Sequence, residues 1–303
     1  MSKRKALITG SAGFIAPYVI NEFKNNGYDV IAVDKQEVQD KIDGVLYLRK
    51  DVRDITVSDL QGVDVVGHFA FLTNIPFSIQ SPCATTDENI GMTVTLLKVA
   101  TEAKIRRFLY PSTASLYGNN PLPWTEDMPG DPIEPYSFQK VATEILLKMW
   151  TKRYGLETAT LRLFQVYAEN PRQDGVISIF LRAKRAGRPI TLTETAPGSK
   201  YKTARRDFIH LEDVARAFLA AAECKDLQEE GPAFNIATGI PTEIAVVAEI
   251  IGGDVQYIPR RNYEVECHQA DLTKTQRVLN WEAKIEFVSW LKEYVSKKSE
   301  AKR

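Results

Sequence analysis

Tyr136 and Lys140 stand four residues apart, a spacing that puts both side chains on one face of a helix. A free phenol titrates near ~10 and is a poor base at neutral pH, but an ammonium beside it favours the phenolate and lowers that value. Such a pair can move a proton on or off an alcohol. A helix face with a lysine stem lying along it looks the same, so the chemistry depends on what else the chain brings to it. A hydroxyl cluster, Ser112-Thr113-Ala114-Ser115, follows the apolar run Arg107-Phe108-Leu109-Tyr110 and is the nearest candidate company.

A cofactor is the other requirement. Ala6-Leu7-Ile8-Thr9 reads as a buried strand, followed by Gly10-Ser11-Ala12-Gly13-Phe14-Ile15-Ala16 and a helical pattern to about Asn26. Strand, glycine turn and helix are the context the dinucleotide fingerprint needs. Gly10 permits the tight turn, Gly13 lets the backbone approach a pyrophosphate, and Ala16 stands in the position where a third small residue lets helix and strand pack. The helix start then offers free N–H groups to the phosphates. Asp34 ends the next strand, roughly 20 residues past the turn, where a carboxylate can hold the adenosine ribose hydroxyls. It would repel the extra phosphate of NADP, so NAD is expected; Lys35 beside it pulls the other way. Asp51 and Val52 follow a third strand, Gly44–Leu48, and either reach the adenine or form a solvated loop. Val63 to Ala70 is a fourth strand. Phe69 and Ala70 at its end would admit the cofactor backbone, and His68 reads as a structural residue.

These residues need a scaffold. Helical spacing over Asp87–Ala103, the strand at Arg107–Tyr110, a helix entered at Pro135 and running to about Tyr154, and a strand at Glu157–Leu163 continue the alternation. Alternating strand and helix predict an α/β fold with a doubly wound parallel sheet of Rossmann type. After Phe164 the rhythm breaks. Gln165–Asp174 reads as loop, Ile177–Ala186 as helix, Pro189–Leu192 as strand, and Glu194–Arg206 as a polar, basic stretch. Leu211–Cys224 reads as helix, Phe234–Ala237 as strand, and Thr242 as the cap of a helix ending at Ile251. Residues 1–165 are thus expected to form the dinucleotide-binding domain, with about 206–240 returning to it. Residues 166–303 are expected to form mainly a smaller α/β substrate-binding domain.

Composition narrows the partners. Among 303 residues, 39 basic and 39 acidic side chains cancel, so no strong field draws nucleic acid or an anionic membrane. No apolar run reaches transmembrane length, and the start of the chain lacks the apolar region of a secretory signal. Cys83, Cys224 and Cys267 form no disulfide framework, which suits the cytoplasm. They and the scattered His68, His210 and His268 form no metal motif, so no metal is expected.

The order of motifs resembles the extended short-chain dehydrogenase/reductase family, in its NAD-dependent nucleotide-sugar epimerase/dehydratase branch, UDP-glucose 4-epimerase-like. The likeness runs from about Lys5 to Trp281. It rests on Gly10–Ala16, Asp34, Asp51–Asp54, His68-Phe69-Ala70, Asn89, Ser112-Thr113, Tyr136 with Lys140, Arg206-Asp207-Phe208-Ile209-His210, Phe234-Asn235-Ile236-Ala237 and Asn280-Trp281. The resemblance implies that Thr113 places a substrate hydroxyl, Tyr136 takes its proton, and Lys140 lowers the tyrosine pKa and binds the nicotinamide ribose. It implies cofactor contacts from Phe14 and Ile15 as well as the residues above. Arg206 and Arg261 correspond to arginines that clamp a nucleotide diphosphate, Asn89 to one that ties its helix to the active site, and the helices Asp87–Ala103 and Pro135–Tyr154 to a homodimer interface.

The family's members diverge after the first oxidation. Its dehydratases carry an Asp-Glu pair after the catalytic Thr and its decarboxylases a Glu; here Ala114 and Ser115 have no ionisable group. Epimerisation at C4 through a transient ketone is expected. Net NAD(P)-dependent oxidation or reduction of a nucleotide-sugar or related small alcohol is the alternative. A sensor without catalysis is a third reading, but such proteins commonly lose the Tyr or the Lys. Gln165 for Asn, Ala168 for Gly, Met92 for Gly, Asn262-Tyr263 for Pro-Gly and the long basic Glu194–Arg205 stretch depart from the family pattern. Most of these departures fall on the substrate-facing half.

Overall fold

The computed structural model describes residues 4–225, 227, 232–260 and 265–300. Its strands, in chain order, begin with β1 (Lys5–Thr9), β2 (Asp29–Asp34), β3 (Leu46–Arg49), β4 (Val65–His68), β5 (Arg107–Thr113) and β6 (Glu157–Leu163). They continue with β7 (Gln165–Tyr167), β8 (Ile190–Thr193), β9 (Arg205–His210), β10 (Ala233–Ile236), β11 (Pro241–Glu243) and β12 (Val255–Ile258). Seven of them form one parallel sheet in the order β10-β6-β5-β4-β1-β2-β3. The central strands are apolar on both faces because helices cover both: every residue of β5 is buried, as are six of seven in β6. Strand order reverses between β1 and β4, and in such sheets ligands bind outside the carboxyl ends of the strands at that reversal.

One face is covered by α1 (Ala16–Asn25), whose Val19, Ile20 and Phe23 join a core with Val214 and Phe218 of a later helix, Leu211–Glu223. The other face carries α2 (Ile75–Gln80), α3 (Pro82–Glu102) and α4 (Pro135–Tyr154), with Leu96, Leu97, Leu147 and Trp150 packed beneath. The remaining helices are α5 (Val176–Arg185), α6 (Leu211–Glu223), α7 (Ile244–Ile251), α8 (Thr273–Leu279) and α9 (Phe287–Glu300).

Beyond β6 the chain builds a three-stranded sheet, β11-β9-β7, and a parallel pair, β12-β8, around a second core that includes Phe180, Phe208, Val247 and Phe287. The chain then crosses back: α6 packs with α1, and β10 joins the large sheet beside β6. Trp281 also enters that larger core, and its indole N–H donates to the Asp213 carbonyl at 3.1 Å.

Several local expectations change. Ser112 and Thr113 belong to β5 rather than following it, because pairing with β6 continues to Thr113 opposite Leu163. Gln165–Tyr167 is a strand rather than loop, since Gln165 pairs with Phe208; three residues are too few for period-2 patterning to register. The helix expected from Asp87 begins at Pro82. Thr242 is a strand residue opposite Arg206, and Glu243 takes the cap position of α7. Here tertiary pairing overrides the local capping signal.

Candidate active site

The turn after β1 is shaped by close approach. Gly10 has φ +70°, and a Cβ there would lie 2.6 Å from the Ala70 nitrogen, so no other residue fits. A Cβ on Gly13 would meet the Gly10 carbonyl oxygen at 2.9 Å. Asp34 is aimed by two backbone donors: Ala12 N–H reaches its Oδ2 at 3.0 Å and Gln36 N–H its Oδ1 at 2.8 Å. A carboxylate has further lone pairs to offer.

Gly10, Gly13, Asp34, Asp51, Val52, Phe69 and Ala70 all line one cleft. It encloses about 720 Å³ of empty space, partly open to solvent. Phe14 and Ile15 do not line it; they pack against the core beneath α1. Asp51 accepts from Arg53 N–H at 2.9 Å and so caps the 3₁₀ turn Val52–Asp54. The lining fits a dinucleotide in its chemistry. It has a glycine turn with no room for side chains, a carboxylate at the end of β2, and apolar walls. Among the described residues no cluster of His, Cys, Asp and Glu could hold a metal.

His68 is fully buried between two hydroxyls, with Nδ1 2.9 Å from Thr9 Oγ1 and Nε2 3.1 Å from Thr93 Oγ1. Burial, with the Lys140 charge nearby, pushes its pKa down to about 3, so the ring is neutral at physiological pH. Its role is structural, as read from the sequence.

Thr113 ends β5, and its hydroxyl donates to Ser115 Oγ at 3.2 Å while accepting from Ser115 N–H. Tyr136 and Lys140 lie in the first turns of α4. Glu134 fixes that helix start, accepting from Tyr136 N–H at 2.7 Å and Ser137 N–H at 3.0 Å. Lys140 is buried; its Nζ donates to the Pro111 carbonyl at 2.7 Å and sits 3.7 Å from the Phe71 ring centre and 4.4 Å from that of Tyr110. Its distance to the Tyr136 ring centre is 5.8 Å.

The expected depression of the tyrosine by Lys140 is absent in the protein alone. Desolvation pushes the Tyr136 phenol up to about 12, against a lowering by the Thr113 hydroxyl, although the residue keeps partial exposure. The same desolvation, opposed by Glu144, brings Lys140 down to about 7. Burial dominates both values, and the ammonium is engaged by the Phe71 and Tyr110 rings and the Pro111 carbonyl.

A second network braces the site. Asn89 is fully buried: its Oδ1 accepts from Leu72 N–H at 2.7 Å, and its Nδ2 donates to the Leu72 carbonyl at 3.2 Å and to Gln139 Oε1 at 2.7 Å. Gln139 Nε2 donates in turn to Thr85 and Thr86. The segment carrying Phe71 is thereby tied to the helix carrying Tyr136 and Lys140.

Elsewhere, Gln165 opens β7 and Arg206 lies on β9. The Arg206 guanidinium donates to the Arg205 carbonyl at 2.8 Å, and burial, with the Arg206 charge nearby, holds the His268 pKa well below the usual histidine range. Asp207 anchors this strand by accepting from Thr238 and Gly239 N–H. The basic stretch turns back on itself, Glu194 bridging to Thr203, with the Arg205 guanidinium over the Tyr201 ring. Arg261 lies outside the described residues.

Phe71, Glu88, Glu134 and Gln139 were not singled out from the sequence. Gln139 had a legible signal, an uncharged amide inside the Tyr136–Lys140 turn on the face of the lysine's neighbours. Glu134 had one as well, an acid directly before the helix-entry Pro135, while Phe71 and Glu88 had none, since their partners are distant in the chain.

With this geometry in hand the comparisons become specific. A family model for the NAD dependent epimerase/dehydratase family matches residues 6–237, and the chain belongs to that family. A putative UDP-glucose 4-epimerase of Methanocaldococcus jannaschii is 31% identical, the alignment covering 96% of this chain and 97% of that one. The UDP-glucose 4-epimerase of Thermotoga maritima, solved with UDP-glucose, is 28% identical with a TM-score of 0.83, covering 99% of this chain and 100% of that one. MoeE5, solved with UDP-glucuronic acid and NAD, is 28% identical with a TM-score of 0.85, covering 98% and 99%.

Proposed function

We propose that the protein is an NAD-dependent nucleotide-sugar epimerase acting at C4 through a transient ketone. The observation that carries this reading is one juxtaposition. The hydroxyl end of β5 and the Tyr136–Lys140 face of α4 are joined through Pro111 and lie beside a glycine-turn cleft that presents Asp34. NAD, held by the glycine turn, Asp34, Asp51 and Lys140, supplies reversible hydride acceptance from a carbinol carbon. Thr113 holds the hydroxyl of that carbinol, and Tyr136 takes its proton. Lys140 is proposed to bind the nicotinamide ribose, and the positive charge that the bound cofactor would bring lowers the phenol so that the phenolate form needed for proton transfer is reached. Arg206 and Arg261 are proposed to hold the diphosphate as planar, permanently charged forks, and Gln165 to face the sugar.

Elimination needs a second acid or base next to the threonine. Ala114 and Ser115 supply none, and the neighbouring carboxylate, Glu134, is occupied in capping α4. This favours a reaction that returns its hydride over dehydration. The relatives' names point the same way.

The protein is further proposed to be a cytoplasmic homodimer. Phe138, Ile145 and Met149 on α4 are 53%, 65% and 42% exposed, an apolar stripe on the helix pair expected to form the interface. No helix among the described residues is long and apolar enough to cross a membrane.

The deciding experiment offers purified protein a panel of UDP-, GDP-, CDP- and dTDP-sugars with no added nicotinamide. Formation of the C4 isomer without growth of the reduced-nicotinamide absorbance supports epimerisation. Stoichiometric NADH would replace it with net oxidation. Sedimentation at micromolar concentration tests the dimer.

A further inference from the structure

The adenosine end of the cleft holds an arrangement of charges that the epimerase reading does not use. Lys35 follows Asp34 directly, and a cation beside that position is what accommodates the 2′-phosphate of NADP in this fold. Arg53 stands just past Asp51 and Val52, on the next strand's loop. Both cations are engaged by Glu88, which projects from α3 and lines the same cleft: Lys35 Nζ lies 3.2 Å from Glu88 Oε1, and the Arg53 guanidinium meets Glu88 Oε2. Each carboxylate oxygen thus holds one cation. Glu88 itself is only 23% exposed, while Lys35 and Arg53 are 56% and 42% exposed. The least exposed member of the trio is the acid, so the longer, more exposed cations are the parts that come to it.

We infer that Glu88 determines the choice of NAD over NADP by occupying Lys35 and Arg53. With Glu88 in place, three acids (Asp34, Asp51, Glu88) offset the three bases nearby (Lys35, Arg49, Arg53), and a 2′-phosphate meets no net attraction and must compete with Glu88 for Lys35 and Arg53. Exchange of Glu88 for an uncharged residue removes one negative charge and releases both cations. Lysine and arginine are ready phosphate ligands once free. Asp34 serves the ribose hydroxyls of NAD; Glu88 withholds the two side chains that would otherwise favour the phosphorylated cofactor.

This inference rests on the NAD reading, and a binding measurement separates the two. Protein stripped of nucleotide is titrated with NADH and with NADPH, following energy transfer from tryptophan to the reduced nicotinamide. In Glu88→Gln, which keeps the side-chain shape, the ratio of NADPH to NADH affinity is expected to rise about tenfold or more over wild type, the usual scale for one released charge-assisted phosphate contact. Lys35→Met/Glu88→Gln and Arg53→Met/Glu88→Gln are each expected to give back part of that gain. A ratio within twofold of wild type in folded Glu88→Gln, with NADH still bound, would overturn the inference alone. So would a gain that survives loss of both cations. Wild-type protein that bound neither nucleotide would overturn it together with the cofactor assignment.

Discussion

The Lys140 ammonium lies 3.7 Å from the centre of the Phe71 ring. Phe71 sits on the segment after β4 and Lys140 on α4, so the contact joins two parts of the chain that the sequence keeps 69 residues apart. A cation desolvated over an aromatic face gains about 2 kcal/mol. Phe71→Leu keeps the apolar bulk and removes that attraction. Epimerase kcat is expected to fall about tenfold and the thermal midpoint by a few degrees, as measured by coupled assay and calorimetry.

Tyr136→Phe removes the proposed proton carrier and little else. Turnover should drop by about 10²–10⁴, the scale of general acid–base catalysis, while nucleotide released on denaturation stays at the wild-type amount. Unchanged turnover would remove Tyr136 from the mechanism.

Because burial lifts the Tyr136 phenol to about 12 in the free protein, activity limited by this group rises with pH through the neutral range. Occupation of the cleft by the positively charged cofactor should move that rise to lower pH. A kcat/KM profile from pH 5 to 10 tests this; a flat profile would contradict the assignment of Tyr136 as base.

Gln139→Ala would remove three buried or half-buried hydrogen bonds, one from the Asn89 amide and two to the Thr85 and Thr86 hydroxyls. A loss of about 1–3 kcal/mol is expected in urea unfolding. Gln139→Glu is expected to be no milder, because the carboxylate has no N–H to offer the threonines.

His68 has a folded pKa of about 3 against an ordinary value of 6.5. Between those values the unfolded chain binds a proton that the folded protein does not, so stability falls as pH falls from about 6.5 towards 3. The full loss is on the order of 5 kcal/mol. His68→Gln should flatten that part of the stability–pH curve, read from chemical denaturation at several pH values.

The parallel sheet, the glycine turn, Asp34 and the Tyr136–Lys140 helix were legible in the chain because each depends on local pattern: apolar runs, a glycine spacing, a four-residue helical repeat. Pro135–Tyr154 and Glu157–Leu163 fall where that pattern places them. What surrounds the site was not legible. Ser112 and Thr113 look like loop residues until β6 extends beside them, and Gln165 looks like loop until Phe208 arrives from 43 residues away. Nor does any sequence pattern say that Lys140 faces Phe71 and the Pro111 carbonyl, so that burial overrides its pull on Tyr136. By itself the sequence determined which chemical groups the protein has and the elements that carry them. Only the tertiary structure decided which groups meet, how far each is desolvated, and therefore the charge each one holds, since these depend on contacts between distant segments.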